Sequence, residues 1–466
     1  MVKSKKKVKI GVIPVHRGFL SMNEAVRQKG IFVDVISKIR PDSVSLIDLD
    51  DVCENGILCN ADDVDKVLAK MKDNEADAIF LAFCNFGEES AAVRVVSALK
   101  LPVLVWGARD EKPNSDEERG RDTQCGMFAA TKALARFGVT YSYIHNVPAS
   151  SNDFKNGFEQ FVRAIAVVKS LKRLKIAQIG QRPAPFMSVI ASEAAITEQL
   201  GIEIVPINVT SIVRLADEFK NDTKKEEIEQ YIKEIKSRVD LSRLADDRVI
   251  NMAAFKLAIQ ESVVRAGCSA AALECWSVLP LHMGFTPCFV VSEMTDEGFP
   301  ISCEADLNGA ITSVMLDAAS LGDSPSFFAD LTIRHPDNDN AELLWHCGPF
   351  PHSLCDPDSK PFLAPDGRAR FPLKKGNITV ARMDDLHGKF TMTAVEGKAV
   401  DGPPTTGTYV YFETDNWRRV EEKFIFGPYI HHVSGCYGQY SRCLKEAMRF
   451  IENIKWDDPN FGPTSL

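Results

Sequence analysis

The sequence of 466 residues lacks the short motifs that assign a chain to several common functional classes. No Gly-x-Gly-x-x-Gly follows its first predicted strand and no Gly-x-x-x-x-Gly-Lys-Ser/Thr occurs, so neither a dinucleotide nor a nucleoside triphosphate is expected as a ligand. Its 12 cysteines never occur as Cys-x-x-Cys, which argues against a zinc ribbon and against a thioredoxin-like redox site.

Long apolar runs and an excess of basic residues are also missing. No stretch approaches the roughly 20 apolar residues of a membrane-spanning helix, and the basic run at residues 3–9 leads into a strand rather than into the apolar core of a signal peptide. The net charge of -9 argues against a nucleic-acid partner, because phosphate binding needs clustered Lys and Arg. We therefore expect a cytoplasmic protein that binds neither membranes nor nucleic acids.

The order of predicted elements indicates an α/β protein with three domains. Apolar strands such as Val8–Val15 alternate with helices over residues 1–170, and a second unit of this kind covers residues 171–318, a pattern typical of parallel sheets covered on both faces. Short β-type segments dominate residues 319–466, with no predicted helix before Arg442–Ile454. We therefore predict two doubly wound parallel-sheet domains followed by a β-rich, barrel-like C-terminal domain.

Two acidic residues lie in segments that are otherwise apolar. Glu304 follows a short predicted strand, and Asp330 lies within the apolar segment Phe327–Ile333. A carboxylate there is costly to bury unless hydrogen bonds or a cation compensate its charge. A divalent metal ion would compensate both, and the pair His431-His432 is the best candidate for a third ligand. From the residues alone, an ion pair of Asp330 with an arginine and a surface position for Glu304 remain open.

Four segments of the chain resemble the L-fucose isomerase and L-arabinose isomerase superfamily. They are Cys-Glu-Ala-Asp-Leu-Asn-Gly-Ala at 303–310, Phe-Phe-Ala-Asp at 327–330, Trp-His-Cys-Gly at 345–348 and His-His-Val-Ser-Gly-Cys-Tyr-Gly at 431–438. The resemblance implies that Glu304, Asp330 and His432 bind Mn²⁺, with Mg²⁺ or Co²⁺ as alternatives that suit these ligands. It also implies that Glu304 and Asp330 are the acid/base pair of an aldose–ketose isomerisation through an ene-diol.

Seven further side chains are predicted to contact the substrate. They are Arg17, Asn85, Glu274, Trp276, His346, Tyr429 and His431. Most have a plainer interpretation as well: a surface charge for Arg17, a turn residue for Asn85, packing of Trp276 beside a surface acid, and a core histidine for His346. Asp306 we interpret only as the cap of the helix that follows it.

The resemblance also implies a homo-oligomer, a trimer or a hexamer, in which the first domain of one subunit closes the active site of its neighbour. The sugar itself stays open. The chain has one residue fewer between Glu304 and its Asn-Gly pair than fucose isomerases have, and Ala272-Leu-Glu-Cys-Trp276 replaces their Gly-Phe-Gln-Gly-Gln. For an anionic substrate, Arg17, Arg109 and Arg182 are the candidates. The alternative functions are an epimerase, an aldolase and a sugar-binding protein of the same fold.

Overall fold

A computed structural model describes residues 7–112, 120–276 and 278–460. The described residues form two compact units, one that ends at Lys169 and one that begins at Ser170. The finer division into three domains with boundaries at residues 170 and 318 stays a prediction. None of the helices in the described ranges is long and apolar enough to cross a membrane.

The first unit contains a five-stranded parallel sheet with helices on both faces. Successive side chains of its central strand, Ala78–Phe83, point to opposite faces of the sheet. Phe80 packs against Phe32 and Phe158 on one face, and Ile79 packs with Val67 on the other. The strands, in the order β2-β1-β3-β4-β5, are β1 (Val8–Val15), β2 (Val44–Ile47), β3 (Ala78–Phe83), β4 (Val103–Gly107) and β5 (Tyr141–Tyr143). The helices are α1 (Met22–Ser37), α2 (Val64–Asp73), α3 (Glu89–Leu99), α4 (Thr123–Arg136) and α5 (Asn152–Leu171).

The second unit begins with a four-stranded parallel sheet in the order β7-β6-β8-β9. Its strands are β6 (Lys175–Ile179), β7 (Glu203–Ile207), β8 (Ala270–Leu273) and β9 (Ile301–Ser302). Its helices are α6 (Glu193–Leu200), α7 (Val209–Glu218), α8 (Lys225–Lys236), α9 (Asp246–Ala266), α10 (Val278–Met283), α11 (Cys288–Asp296) and α12 (Leu307–Ser320). The predicted parallel α/β architecture is therefore confirmed in both units.

The rest of the second unit is a closed antiparallel barrel, as predicted for the C-terminal part. Six strands form the barrel in the order β16-β11-β10-β17-β14-β15, and pairing of β15 with β16 closes it. The strands are β10 (Ser326–Arg334), β11 (Ala341–His346), β12 (Phe362–Leu363), β13 (Ala369–Pro372), β14 (Asn377–Leu386), β15 (Lys389–Val400), β16 (Thr408–Glu413), β17 (His432–Tyr437) and β18 (Ile454–Trp456). The helices are α13 (Trp417–Phe426) and α14 (Ser441–Ala447).

The helix α12 joins the parallel sheet to the barrel. It contacts β8 and β9 of the sheet and also β10, β14 and β17 of the barrel, and almost all of its residues are buried. A helix covered on both sides needs apolar or small residues all round rather than on one face. The sequence Leu307-Asn-Gly-Ala-Ile-Thr-Ser-Val-Met-Leu meets this requirement, and it carries the Glu304 segment to the barrel wall.

Several elements of the C-terminal part differ from the sequence-based expectation. The helix predicted over Arg442–Ile454 ends at Ala447, and Ile454 begins the strand β18. The helix α13 precedes Arg442, where no helix was predicted. Its apolar pattern was easy to miss because the buried face is narrow and consists of Trp417, Val420 and the stem of Lys423. The strand β17 was not predicted either, since it lies between two glycine-containing turns and includes Gly435. This strand matters for function because His432 is its first residue.

Candidate active site

Glu304 lies in a sharp turn between β9 and α12. The φ angles of Glu304 and Ala305 are 54° and 55°, in the left-handed region that residues other than glycine seldom adopt. Each such residue costs about 1 kcal/mol or more and persists only where the surrounding structure imposes the conformation. The side chain of Glu304 is buried, with 3% of the residue exposed, so the interpretation as a surface charge is wrong.

The two carboxylate oxygens of Glu304 have different surroundings. Oε1 accepts a hydrogen bond from Nε1 of Trp276 at 3.0 Å and one from the thiol of Cys275 at 3.5 Å. Oε2 is buried and accepts no hydrogen bond from any residue that the structure describes. It lies 3.5 Å from Nε2 of His346 and 3.7 Å from Nε2 of His432. Burial raises the pKa of Glu304, but the two imidazoles lower this pKa by a larger amount. The pKa is therefore below its usual value, and the group is a carboxylate.

Asp330 and His432 come together because of strand register. They are directly opposite each other in the antiparallel pair β10–β17, where facing Cβ atoms are about 4.5–5.5 Å apart. Oδ1 of Asp330 lies 3.6 Å from Nε2 of His432, and it is buried without a hydrogen-bond partner within residues 7–112, 120–276 and 278–460. The ion pairs described for Asp330 are with His431 and His432 and involve no arginine.

Asp306 orients the imidazole of His432. Its Oδ1 accepts the backbone N–H of Gly309 at 2.9 Å, which makes it the predicted helix cap. Its Oδ2 accepts from Nδ1 of His432 at 2.9 Å and from Arg382 at 2.6 Å. Burial raises the pKa of Asp306, but Arg382 and His432 lower it well below its usual range. Because Asp306 is therefore a carboxylate, the proton of His432 lies on Nδ1, and the lone pair of Nε2 points toward Glu304 and Asp330.

Three ligand atoms thus lie at one buried space: Oε2 of Glu304 is 3.7 Å from Nε2 of His432, which in turn is 3.6 Å from Oδ1 of Asp330. His346 borders this space but is not a ligand, because its Nδ1 accepts the backbone N–H of Cys347 and its Nε2 therefore carries the proton that faces Oε2 of Glu304 at 3.5 Å. Burial lowers the pKa of His346, but the Asp330 and Glu304 carboxylates raise it to about 9, so this space favours positive charge. Burying such a set without hydrogen bonds is costly. Carboxylate oxygens together with imidazole nitrogen suit Mn²⁺, Mg²⁺ or Co²⁺, and these residues fit a divalent cation.

Comparisons with known proteins agree with this geometry. Residues 11–172 match the family described as Fucose/sulfoquinovose isomerase, N-terminal domain. Sulfoquinovose isomerases of Priestia aryabhattai and Priestia megaterium are each 25% identical to this chain over 410 residues, covering 85% of it and 88% of the relative. The chain is fucose isomerase-like. The sulfoquinovose isomerase of Alkalicoccus urumqiensis is 24% identical over 353 residues, covering 74% of this chain and 77% of the relative. The predicted enzyme class, an aldose–ketose isomerase, is confirmed by these relatives.

Three of the seven predicted substrate-contacting residues border this fucose isomerase-like site. Trp276 and His346 contact Glu304, as described above. His431 is partly exposed, with its ring 4.5 Å from that of His432 and its Nε2 4.0 Å from Oδ1 of Asp330. Their roles toward a substrate stay predictions, but the structure brings all three to the place where a ligand of the site would lie.

The other four predicted residues make different contacts. Oε2 of Glu274 accepts the backbone N–H of Gln181 at 3.0 Å, and the hydroxyl of Tyr429 donates to Asp457 at 3.1 Å, with both side chains largely buried. The remaining two, Arg17 and Asn85, lie in the first unit, where Oδ1 of Asn85 accepts the backbone N–H of Arg17 at 2.9 Å. For these four a role in substrate binding also stays a prediction.

Sequence reasoning missed several residues of the site. Arg382 is completely buried in β14 and forms an ion pair with Asp306. The sequence could have indicated this buried charge, because Arg382 lies in the mainly apolar run Ile378–Met383. Phe186 was not considered. Its ring lies 4.8 Å from that of Trp276 and 6.1 Å from that of His432, so it packs over the converging ligand atoms. Nothing in the sequence around Phe186 distinguished it from other loop residues.

Proposed function

We propose that the chain converts an aldose into a ketose through an ene-diol, with a divalent metal ion, preferentially Mn²⁺, held by Glu304, Asp330 and His432. The observation that supports the metal site is that two buried carboxylate oxygens, Oε2 of Glu304 and Oδ1 of Asp330, lie within 3.7 Å of Nε2 of His432 and have no hydrogen-bond partner among the described residues. When bound, such an ion would polarise the sugar carbonyl and stabilise the negative charge of the ene-diolate.

Glu304 and Asp330 act as the acid/base pair in this proposal. The carboxylate of Glu304 takes the proton from carbon 2 of the sugar and returns it at carbon 1, while Trp276 and Cys275 fix its orientation by hydrogen bonds to Oε1. The side chain of Asp330 is more open, with 21% exposed, and exchanges a proton with a sugar oxygen. Asp306 holds His432 in one tautomer throughout.

The proposed substrate is an aldose that carries a sulfo group, the substrate class in the names of the relatives. Arg182 is the residue that we assign to this group. It lies on the turn that carries Phe186, whose ring contacts Trp276. Its described hydrogen bonds, to the carbonyl oxygens of Pro183, Ala184 and Phe186, all use Nη1, so its other nitrogens are available for an oxyanion.

Proton NMR in D₂O tests this proposal directly. The purified protein is stripped of metal with a chelator, restored with Mn²⁺ or left without it, and mixed with sulfoquinovose or with glucose as the matched sugar without a sulfo group. We expect loss of the C2 proton signal and appearance of a ketose only with Mn²⁺ and mainly with sulfoquinovose. Exchange at C2 without ketose would replace the proposal by an epimerase or aldolase. Binding of sulfoquinovose without any exchange would replace it by a sugar-binding protein.

We also propose that the chain forms a trimer or a hexamer with active sites shared between subunits, as the resemblance implies. Arg17 and Asn85 would then reach the substrate from a neighbouring subunit. Mixing two inactive variants, Arg17→Gln and Glu304→Gln, after dissociation and reassembly tests this idea, because some sites would then combine two intact residues. Recovery of activity supports shared sites, whereas no recovery in mixed oligomers contradicts them. The cytoplasmic location stays a prediction.

A further inference from the structure

Two cysteines on the Nδ1 side of His346, away from Glu304, have no part in the proposed isomerisation. Cys288 is the first residue of α11, and Cys347 directly follows His346 at the end of β11. We propose that Cys288 and Cys347 form an oxidation site, at which a hydroperoxide converts the two thiols into a disulfide and thereby slows the reaction at Glu304. The effect on the reaction rests on the proposed function, whereas the disulfide itself does not.

The geometry favours a bond between these two residues, which are remote in sequence. Their Sγ atoms are 3.1 Å apart. This is shorter than the roughly 3.5–4.0 Å optimal separation of two non-bonded carbon atoms, although sulfur is the larger atom. A disulfide bond is about 2.05 Å long, so the two sulfur atoms need to approach by only about 1 Å.

The surroundings of Cys288 support its reactivity. It lies at the N-terminus of a helix of nine residues, where the backbone dipole favours a thiolate. The hydrogen bond from the thiol of Cys347 lowers the pKa of Cys288, which is below its usual value although burial raises it. Cys288 is 2% exposed and Cys347 is half-buried, so a small oxidant is the reagent that can reach the pair.

The proposed chemistry balances with the hydroperoxide as the only oxidant. One thiolate attacks the peroxide, forming an S–O bond and breaking the O–O bond, and the departing oxygen takes a proton and leaves as water or an alcohol. The second thiol then attacks the sulfenic acid, forming the S–S bond and releasing the second oxygen as water. The two sulfur atoms together lose two electrons, which the peroxide gains.

The pair is coupled to the active site through His346. Sγ of Cys347 lies 3.1 Å from Nδ1 of His346, and the backbone N–H of Cys347 donates to the same nitrogen at 2.9 Å. The other ring nitrogen of His346 lies 3.5 Å from Oε2 of Glu304. Moving Sγ toward Cys288 removes one of the contacts that orient this imidazole. Disulfide formation therefore changes the surroundings of Glu304 without adding any group to the site.

Titration of the intact, Mn²⁺-loaded protein with hydrogen peroxide tests the proposal. Peptide mapping by mass spectrometry should find the Cys288–Cys347 disulfide, and its extent should follow an at least tenfold loss of activity that dithiothreitol reverses. The Cys347→Ser variant should form no such disulfide and should instead leave a sulfenic acid on Cys288, the proposed thiolate, that dimedone traps. Cys125→Ser, which removes an exposed cysteine of the first unit, is the matched control and should behave as wild type.

Two results would overturn the proposal. One is oxidation of Cys125 under conditions in which no Cys288–Cys347 disulfide forms. The other is formation of that disulfide with activity unchanged. Failure of the proposed function is recognised separately, because the unoxidised protein would then lack isomerase activity in the NMR assay, while the disulfide would still be mapped without reference to activity.

Discussion

Two buried polar clusters at strand ends, one in each unit, differ in whether their atoms find partners inside the protein. In the first unit, Oδ1 of Asn85 accepts the backbone N–H groups of Arg17 and Gly87 at 2.9 and 3.1 Å, and its amide nitrogen lies 2.6 Å from Nδ1 of His16. In the second unit, the buried Oε2 of Glu304 has no such partner among the described residues. A satisfied cluster holds the backbone, whereas an unsatisfied one indicates a ligand.

Glu342 shows that a single unsatisfied atom is not enough. Its Oε2 is also buried without a hydrogen-bond partner in the described part of the chain, but the nearest charged group in its ion pairs is Arg334 at 4.0 Å. Burial raises the pKa of Glu342 to about 7. This carboxyl group therefore takes up a proton as the pH falls toward neutrality, whereas the Glu304 site combines several ligand atoms that suit a cation.

The largest expected effect is a loss of activity when the Glu304 cluster is changed, whereas a change in the Asn85 cluster should mainly lower stability. Glu304→Gln should lower kcat by about 10²–10⁴-fold, because it removes a proton-transfer group, while the melting temperature of the metal-free protein stays within a few degrees of wild type. Asn85→Ala should instead cost about 1–3 kcal/mol of stability, since it leaves buried N–H groups unpaired, and it should leave metal affinity unchanged. Steady-state kinetics and thermal unfolding check both. A stable, fully active Glu304→Gln variant would contradict the proposed base.

Metal removal should affect the second cluster next most strongly. At a Mn²⁺ concentration 100 times its Kd, binding should stabilise the folded protein by about 2.7 kcal/mol relative to the chelated form. His432→Gln should lose most of this stabilisation, because it removes the ligand that Asp306 orients. His387→Gln replaces an exposed histidine outside the site and is the control. Calorimetric unfolding with and without Mn²⁺ makes the comparison, and equal stabilisation of both variants would refute the ligand assignment.

Two glycine substitutions should change the free energy of unfolding in opposite directions. An alanine Cβ at Gly309 would lie 2.4 Å from the buried ring of Phe328, which packs against His432, so Gly309→Ala should destabilise the protein by about 1–3 kcal/mol. Gly30 lies exposed within α1 with no atom near the corresponding position, so Gly30→Ala should stabilise by roughly 0.5–1 kcal/mol. Urea unfolding measures both. A neutral Gly309→Ala would show that Phe328 can move, and that the site is less tightly packed than described.

The last expected effect concerns pH. Because the pKa of Glu342 is about 7 in the folded protein and about 4.5 when exposed, the folded state binds its proton more tightly. Glu342 therefore lowers stability as the pH rises from 4.5 to 7, by up to about 3 kcal/mol, and the loss then levels off. Glu342→Gln should remove this slope. Urea unfolding across this pH range is the measurement, with Glu422→Gln, a partly exposed carboxylate that pairs with Arg418, as control. An unchanged slope would assign the dependence to another group.

Much of the site was predictable because its residues contradict their local patterns. An acid in an apolar strand, as at Asp330, and the histidine pair His431-His432 are both visible in the sequence. The second role of Asp306 was not visible, because capping α12 already explains an aspartate at that position. That His432 bonds to the same carboxylate depends on β17 lying beside α12, and no local pattern contains this information.

The amino-acid sequence by itself determined the type and order of most elements, and with them the parallel sheets, the β-rich C-terminal part and the candidate ligands. These properties follow from apolar periodicity and residue chemistry, which act over a few neighbouring residues. Only the tertiary structure decided which oxygen of Glu304 is free, which tautomer His432 adopts, and that Cys288 touches Cys347. Each of these depends on hydrogen bonds or packing between segments far apart in the chain, and the energies of those contacts exist only once the strands and helices have assembled.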